Sequence, residues 1–115
     1  MSIRMTPSLS PLFPLFQMTA DEVKDMFLLG QRVSSVIESH YGASACTFCV
    51  QDGPEAGQTV AHVHAHVLPR RRGDFERNDD VYEELAKHDQ GDEAEKGWRS
   101  AEEMAEEASQ LRKLF

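Results

Sequence analysis

The stretch Val60-Ala-His-Val-His-Ala-His-Val-Leu-Pro-Arg70 constrains this chain more than any other. His62, His64 and His66 recur at every second position, with Ala61, Val63, Ala65 and Val67 between them. Alternate side chains of a β-strand point to opposite faces. An extended segment here therefore sets three imidazoles on one face and small or branched apolar groups on the other. The imidazole face reads as the working edge of an active site, and Pro69 is expected to close the strand.

The segments before it supply the partners such a strand needs. Thr19-Ala-Asp-Glu22 is a capping box, in which hydroxyl and carboxylate satisfy the first N–H groups of a helix. Val23, Met26, Phe27, Gly30, Val33 and Ile37 then recur at spacings of three and four, one apolar stripe for core packing. Gly42 is the expected stop, and His40 near the helix end complements its dipole. A strand is expected at about 45–50, then the loop Gln51–Thr59. Gly53, Pro54 and Gly57 permit tight turns there, and free N–H groups of the loop could form an anion-holding nest. Two strands joined this way are most simply antiparallel neighbours.

Both ends of the chain read differently. Pro7, Pro11 and Pro14 make residues 1–18 an irregular leader, since proline at that density prevents a helix or an interior strand. Beyond Arg77, Asn78 or Asp79 caps a short helix over Val81–His88, with Val81, Leu85 and His88 on its inner side. A polar linker follows. Ser100-Ala-Glu-Glu103 then opens a helix whose apolar face is Met104, Ala105, Ala108, Leu111 and Phe115. The divisions are 1–18, 19–77 and 78–115, and the fold class is α+β: an antiparallel sheet of two to three strands with helices packed on it.

Charge and cysteines exclude several roles. The net charge is −8, and the excess of acid lies after Arg77. That argues against nucleic acid or an anionic membrane as the main partner, and no apolar run approaches a membrane span. Arg70, Arg71, Arg72 and Arg77 form one local basic cluster, which suits either a phosphorylated small molecule or a solvated loop tip. Cys46 and Cys49 have redox-like C-x-x-C spacing, but three residues apart on a strand they face opposite ways. They read as packed thiols in a reducing compartment.

Three chemistries fit three in-line histidines. One is a metal site, although the first and last Cα atoms lie about 13 Å apart at strand rise, so a single ion would need a bend or an outside ligand. The second is nucleophilic attack by a neutral imidazole on phosphorus, leaving a labile phosphoramidate. The third is a row of solvent-facing histidines without a role. Spacing alone does not separate them.

His62-Val-His64-Ala-His66-Val-Leu-Pro-Arg70 matches the His-x-His-x-His signature of the histidine triad (HIT) family. Gln51–Val60, Gly73–Asp79, Val81–Leu85 and Trp98-Arg-Ser100 resemble its fragile histidine triad branch, the dinucleoside polyphosphate hydrolases (bis(5'-adenosyl)-triphosphatases). The resemblance runs from about Thr19 to the C terminus. It implies a HIT-like sheet and a hydrolase that cuts diadenosine triphosphate into AMP and ADP. His64 would be the adenylylated nucleophile, His66 would contact the phosphates and leaving oxygen, and His62 would orient the nucleophile. Gln51, Gly57, Gln58, Thr59 and Val60 would hold the phosphate chain. It also implies a homodimer, a divalent cation (Mg or Mn) that arrives with the substrate and is not held by the histidines, and a cytoplasmic or nuclear location. Tyr82 resembles the branch's phosphorylated tyrosine, which leaves a catalytically silent signalling protein as the alternative. The family's strands before the first helix are missing here, so the histidine strand or its neighbour is expected to be an open edge, with nucleoside binding impaired.

Overall fold

The computed structural model describes residues 2–4, 14–60, 62–89 and 99–115. In chain order the elements are β1 (Ser2–Arg4), α1 (Ala20–Tyr41), β2 (Ala45–Val50), β3 (His64–Arg70), α2 (Asp80–Asp89) and α3 (Ala101–Arg112), with 3-10 turns at Leu15–Gln17 and Pro54–Ala56. The chain divides into two compact units, Met1–Glu76 and Arg77–Phe115.

The first unit holds the sheet, an α+β arrangement with strand order β1-β3-β2. Both pairings are antiparallel: Ser2–Arg4 against His66–His64, and Ala45–Val50 against Arg70–Ala65. The histidine strand is thus interior where β1 and β2 flank it, so of the two alternatives expected for the open edge it is the neighbour, not the histidine strand itself, that is one. Among the described residues the open edges belong to β1 and β2. The leader is not wholly irregular either. Ser2–Arg4 precede the first proline, so no missing N–H prevents pairing there.

The strand boundary also moves. β3 begins at His64 instead of Val60 and continues through Pro69 to Arg70. His62 makes only an isolated bridge ahead of it. Ser44 donates its N–H to the Arg70 carbonyl at 3.1 Å, so the backbone groups of Arg70 face β2. Those of Pro69 face the opposite side, where β1 pairs with residues 64–66 only. Proline costs the ladder nothing at such a position.

Helix α1 forms where its caps indicate. Thr19 Oγ1 accepts the Glu22 N–H at 3.3 Å, and Glu22 Oε2 accepts the Thr19 N–H at 2.7 Å. These bonds hold the Glu22 carboxyl below its usual range, the Thr19 backbone N–H contributing most. Gly42 ends the helix in the left-handed region, at φ 62°. Met26, Gly30, Val33 and Ile37 are buried, and Val33 and Ile37 meet Val67 in a core to which Tyr41, Cys46 and Phe48 add. The helix therefore covers the Ala65/Val67 face of β3. Phe27 departs from the expected stripe. It is 52% exposed, one helical step past Met26, and its ring lies 5.2 Å from that of Phe48.

In the second unit α2 starts one residue before the expected helix and ends one residue after it. Val81 and Leu85 are buried, and the side chain of His88 lies outside the described residues. Helix α3 has its capping box, with Ser100 Oγ accepting the Glu103 N–H at 3.1 Å. The apolar face expected for it is corrected: only Leu111 is buried, while Met104 is 50% exposed and Phe115 is exposed too. Alanines at 105 and 108 offer too little apolar area to demand cover.

Candidate active site

Register decides which side chains share a face. Cys49 pairs with His66 and Thr47 with Leu68, so the even-numbered residues of β3 stand with the odd-numbered ones of β2. His64 and His66 are buried on this face, His62 is half-buried, and α1 packs on the other. The ring centroids are 5.9 Å apart for His62 and His64, and 5.0 Å for His64 and His66, each pair nearly edge-on. The structure thus brings the three imidazoles into one continuous row, although the first belongs to a residue outside the ladder.

One hydrogen bond sets the chemistry of the middle ring. His64 Nδ1 lies 3.0 Å from the backbone carbonyl oxygen of His62. A carbonyl only accepts, so Nδ1 must carry the proton. In the neutral ring the lone pair is then on Nε2. That atom is buried and has no hydrogen-bond partner among the described residues. Leaving such an acceptor unmatched costs about 1–3 kcal/mol, and a site that keeps it unmatched is arranged for something that arrives. His62 acts on His64 through its main chain, a contact that side-chain spacing does not reveal.

The loop before the row is closed upon itself. Gly53 accepts from the N–H groups of Ala56 and Gln58, both at 3.1 Å, and Pro54 accepts from Gly57 at 2.9 Å. The Gly53 N–H goes to Gln58 Oε1 at 2.7 Å. The expected anion-holding nest is therefore not formed at 53, 56, 57 or 58, because those amides are already engaged. Gln58 Nε2 donates to the His62 carbonyl at 3.1 Å, so this side chain points into the loop. Gln51 Oε1 is buried without a hydrogen-bond partner among the described residues. Gly57, at φ 88°, leaves room for it: a Cβ there would stand 2.6 Å from Gln51 Nε2. Thr59 is exposed and Val60 half-buried.

The arginine cluster has other employment. Arg70 is buried, gives Nε and Nη2 to Asp74 at 2.6 and 3.0 Å and Nη1 to Thr47 Oγ1 at 3.1 Å, and lies over the Phe75 ring. The Arg70 hydrogen bond holds the Asp74 carboxyl down to about 2. The Arg71 guanidinium donates to the Tyr41 carbonyl, and Arg77 pairs with Asp80 and Glu83. Arg70, Arg71 and Arg77 thus brace the turns they stand in, while Arg72 is exposed. Neither cysteine forms a disulfide: Cys46 Sγ faces α1, 3.5 Å from Ser34 Oγ, while Cys49 stands on the histidine face. No group of three His, Cys, Asp or Glu among the described residues is placed to hold a metal ion.

Known proteins share this frame. The chain is 48% identical over 117 residues to the bifunctional bis(5'-adenosyl)-triphosphatase/adenylylsulfatase FHIT of Arabidopsis thaliana, covering 90% of this chain and 62% of that protein. It is 48% identical over 98 residues to the bis(5'-adenosyl)-triphosphatase of Dictyostelium discoideum, covering 85% and 61%. The chain thus spans about three-fifths of the length of these relatives. Among solved structures, the Caenorhabditis elegans NitFhit protein superposes with a TM-score of 0.53 at 42% identity, over 69% of this chain and 19% of that one. The Plasmodium falciparum diadenosine triphosphate hydrolase gives 0.53 at 30% identity, over 70% and 54%. The HIT domain family matches residues 7–73, which take in α1, β2, β3 and the histidine row but not β1, and the chain belongs to that family.

Proposed function

We propose that the chain carries the nucleophile of a dinucleoside polyphosphate hydrolase, cleaving diadenosine triphosphate to AMP and ADP. The observation that carries this is the 3.0 Å contact of His64 Nδ1 with the His62 carbonyl, which assigns the proton to Nδ1 and leaves the buried Nε2 as an acceptor with no partner among the described residues. Nε2 would attack the terminal phosphorus of the chain, forming a P–N bond as the P–O bond to ADP breaks. The new imidazolium keeps its Nδ1 proton, and the His62 carbonyl already faces that charge. Water then splits the P–N bond, releasing AMP and restoring the neutral ring. His66, whose ring is next in the row, would meet the leaving oxygen. Gln51 would meet the phosphate chain, together with the backbone of Thr59 and Val60. The divalent cation (Mg or Mn) that the family resemblance implies would come bound to the phosphates of the substrate. Names of the relatives support this substrate class.

Homodimerisation is supported by exposed Phe27, Leu28 and Leu29 on α1. The two thiols support a reducing cytoplasmic or nuclear location, and no helix among the described residues is long and apolar enough to cross a membrane. The silent signalling alternative draws on Tyr82, half-exposed beside the carboxylates of α2. Intact mass after mixing with diadenosine triphosphate tests the proposal. An AMP-sized adduct on the unmodified sequence, absent from His64→Asn, is expected. No adduct on either protein would leave the signalling reading standing.

A further inference from the structure

We infer that Gln58 is a positioning residue for His64, acting through the His62 carbonyl, and not a phosphate contact. The inference rests on the nucleophile assigned to His64 above and deepens it. The His62 carbonyl precedes the first residue of β3, so the continuous ladder does not fix where it points. Two donors converge on it: His64 Nδ1 at 3.0 Å and Gln58 Nε2 at 3.1 Å. A carbonyl oxygen has two lone pairs and accepts both. The far end of the same amide is held by the Gly53 N–H on Gln58 Oε1 at 2.7 Å. The amide orientation is unambiguous, because one partner only donates and the other only accepts. Gln58 therefore ties the turn at Gly53 to the oxygen that keeps the proton on Nδ1. Without it the carbonyl loses one of the two side-chain bonds that aim it, and the contact that selects the reactive tautomer of His64 is weakened.

Two substitutions separate the possibilities. Gln58→Met is near-isosteric and removes both bonds. Gln58→Glu, studied at mildly alkaline pH, keeps an acceptor for the Gly53 N–H but offers the His62 carbonyl no donor. The first readout is the imidazole nitrogen NMR pattern of His64, which needs no substrate. The unmodified protein should show the Nδ1–H tautomer, and both variants a mixture. The second is steady-state hydrolysis of diadenosine triphosphate: kcat should fall about tenfold or more with KM nearly unchanged, since displaced catalytic groups forfeit rate. An unchanged tautomer in folded Gln58→Glu would overturn the inference, as would a loss confined to KM, which marks a phosphate contact. Should the unmodified protein turn over no nucleotide, the proposed function fails while the tautomer pattern still decides the role of Gln58.

Discussion

At the scale of single residues, the site depends on backbone groups and on a missing Cβ as much as on imidazoles. Spacing made the row of His62, His64 and His66 legible, because period two is a property of the strand itself. The proton on Nδ1 was not legible, since it follows from a main-chain carbonyl whose direction no side chain announces. Gly57 was readable as a turn residue but not as the space beside Gln51. Gly57→Ala must place a Cβ 2.6 Å from Gln51 Nε2 and hold φ near 88°, a conformation that costs a non-glycine residue about 1–3 kcal/mol. The amide has to move, so the rate of adduct formation should drop about tenfold or more, measured by single-turnover mass spectrometry. An undiminished rate would show that Gln51 takes no part. Asp74 gives a prediction against pH. Its carboxyl is held near 2 in the fold against an ordinary 3.8. A depressed pKa adds stability that is complete above about 3.8 and lost as pH falls toward 2. Asp74→Asn should remove that part of the pH dependence, seen as a flatter acid limb in the unfolding midpoint followed by circular dichroism.

Elements were legible where a local rule and the tertiary context agree. The two capping boxes marked the starts of α1 and α3 because their bonds close within four residues. The C-terminal end of β3 departs from expectation for the opposite reason: whether Pro69 breaks a strand depends on which neighbour its missing N–H would have faced. Helix α1 shows the same dependence at Gly30. Sequence placed it in the apolar stripe, and the structure shows why a side chain would not fit: a Cβ would stand 2.3 Å from Phe48 Cε2. Alanine gains about 1 kcal/mol of helix propensity over glycine, while overpacking costs about 1–3 kcal/mol. Gly30→Ala should therefore lose about 1 kcal/mol net on these scales, a melting temperature lower by a few degrees. A rise would mean that the Phe48 ring, wedged toward Phe27, yields without cost. On β2, Cys46 faces the helix and Cys49 the histidines. Diamide treatment of the folded protein should leave both thiols titratable within one chain, because a disulfide needs Cβ atoms on the same side, about 3.5–4.5 Å apart.

At the scale of the molecule, the first unit rests on a small core. Val33, Ile37 and Val67 are its buried centre, with Tyr41, Cys46 and Phe48 at its margin. Hydrophobic periodicity found the helix side of this core, yet it also marked Met104 and Phe115, which stay exposed. Periodicity reports what a helix offers, not whether another element comes to cover it. The core and the histidine row are opposite faces of the same strand, one residue apart in register. Val67 anchors β3 on the helix, and that anchoring aims His64 and His66 the other way. Stability and chemistry should therefore fail together when the core is opened, and separately when only the row is changed. Ile37→Ala leaves a cavity in a fully buried place, at a cost of about 2–5 kcal/mol, a large share of the 5–15 kcal/mol typical of a domain. In urea titration its midpoint should fall sharply, and the AMP adduct on His64 should disappear over the same range of denaturant as the circular dichroism signal. His64→Asn should abolish the adduct with a midpoint displaced far less. Were Ile37→Ala to keep full adduct formation after its helix signal had gone, the row would not need the sheet that α1 supports.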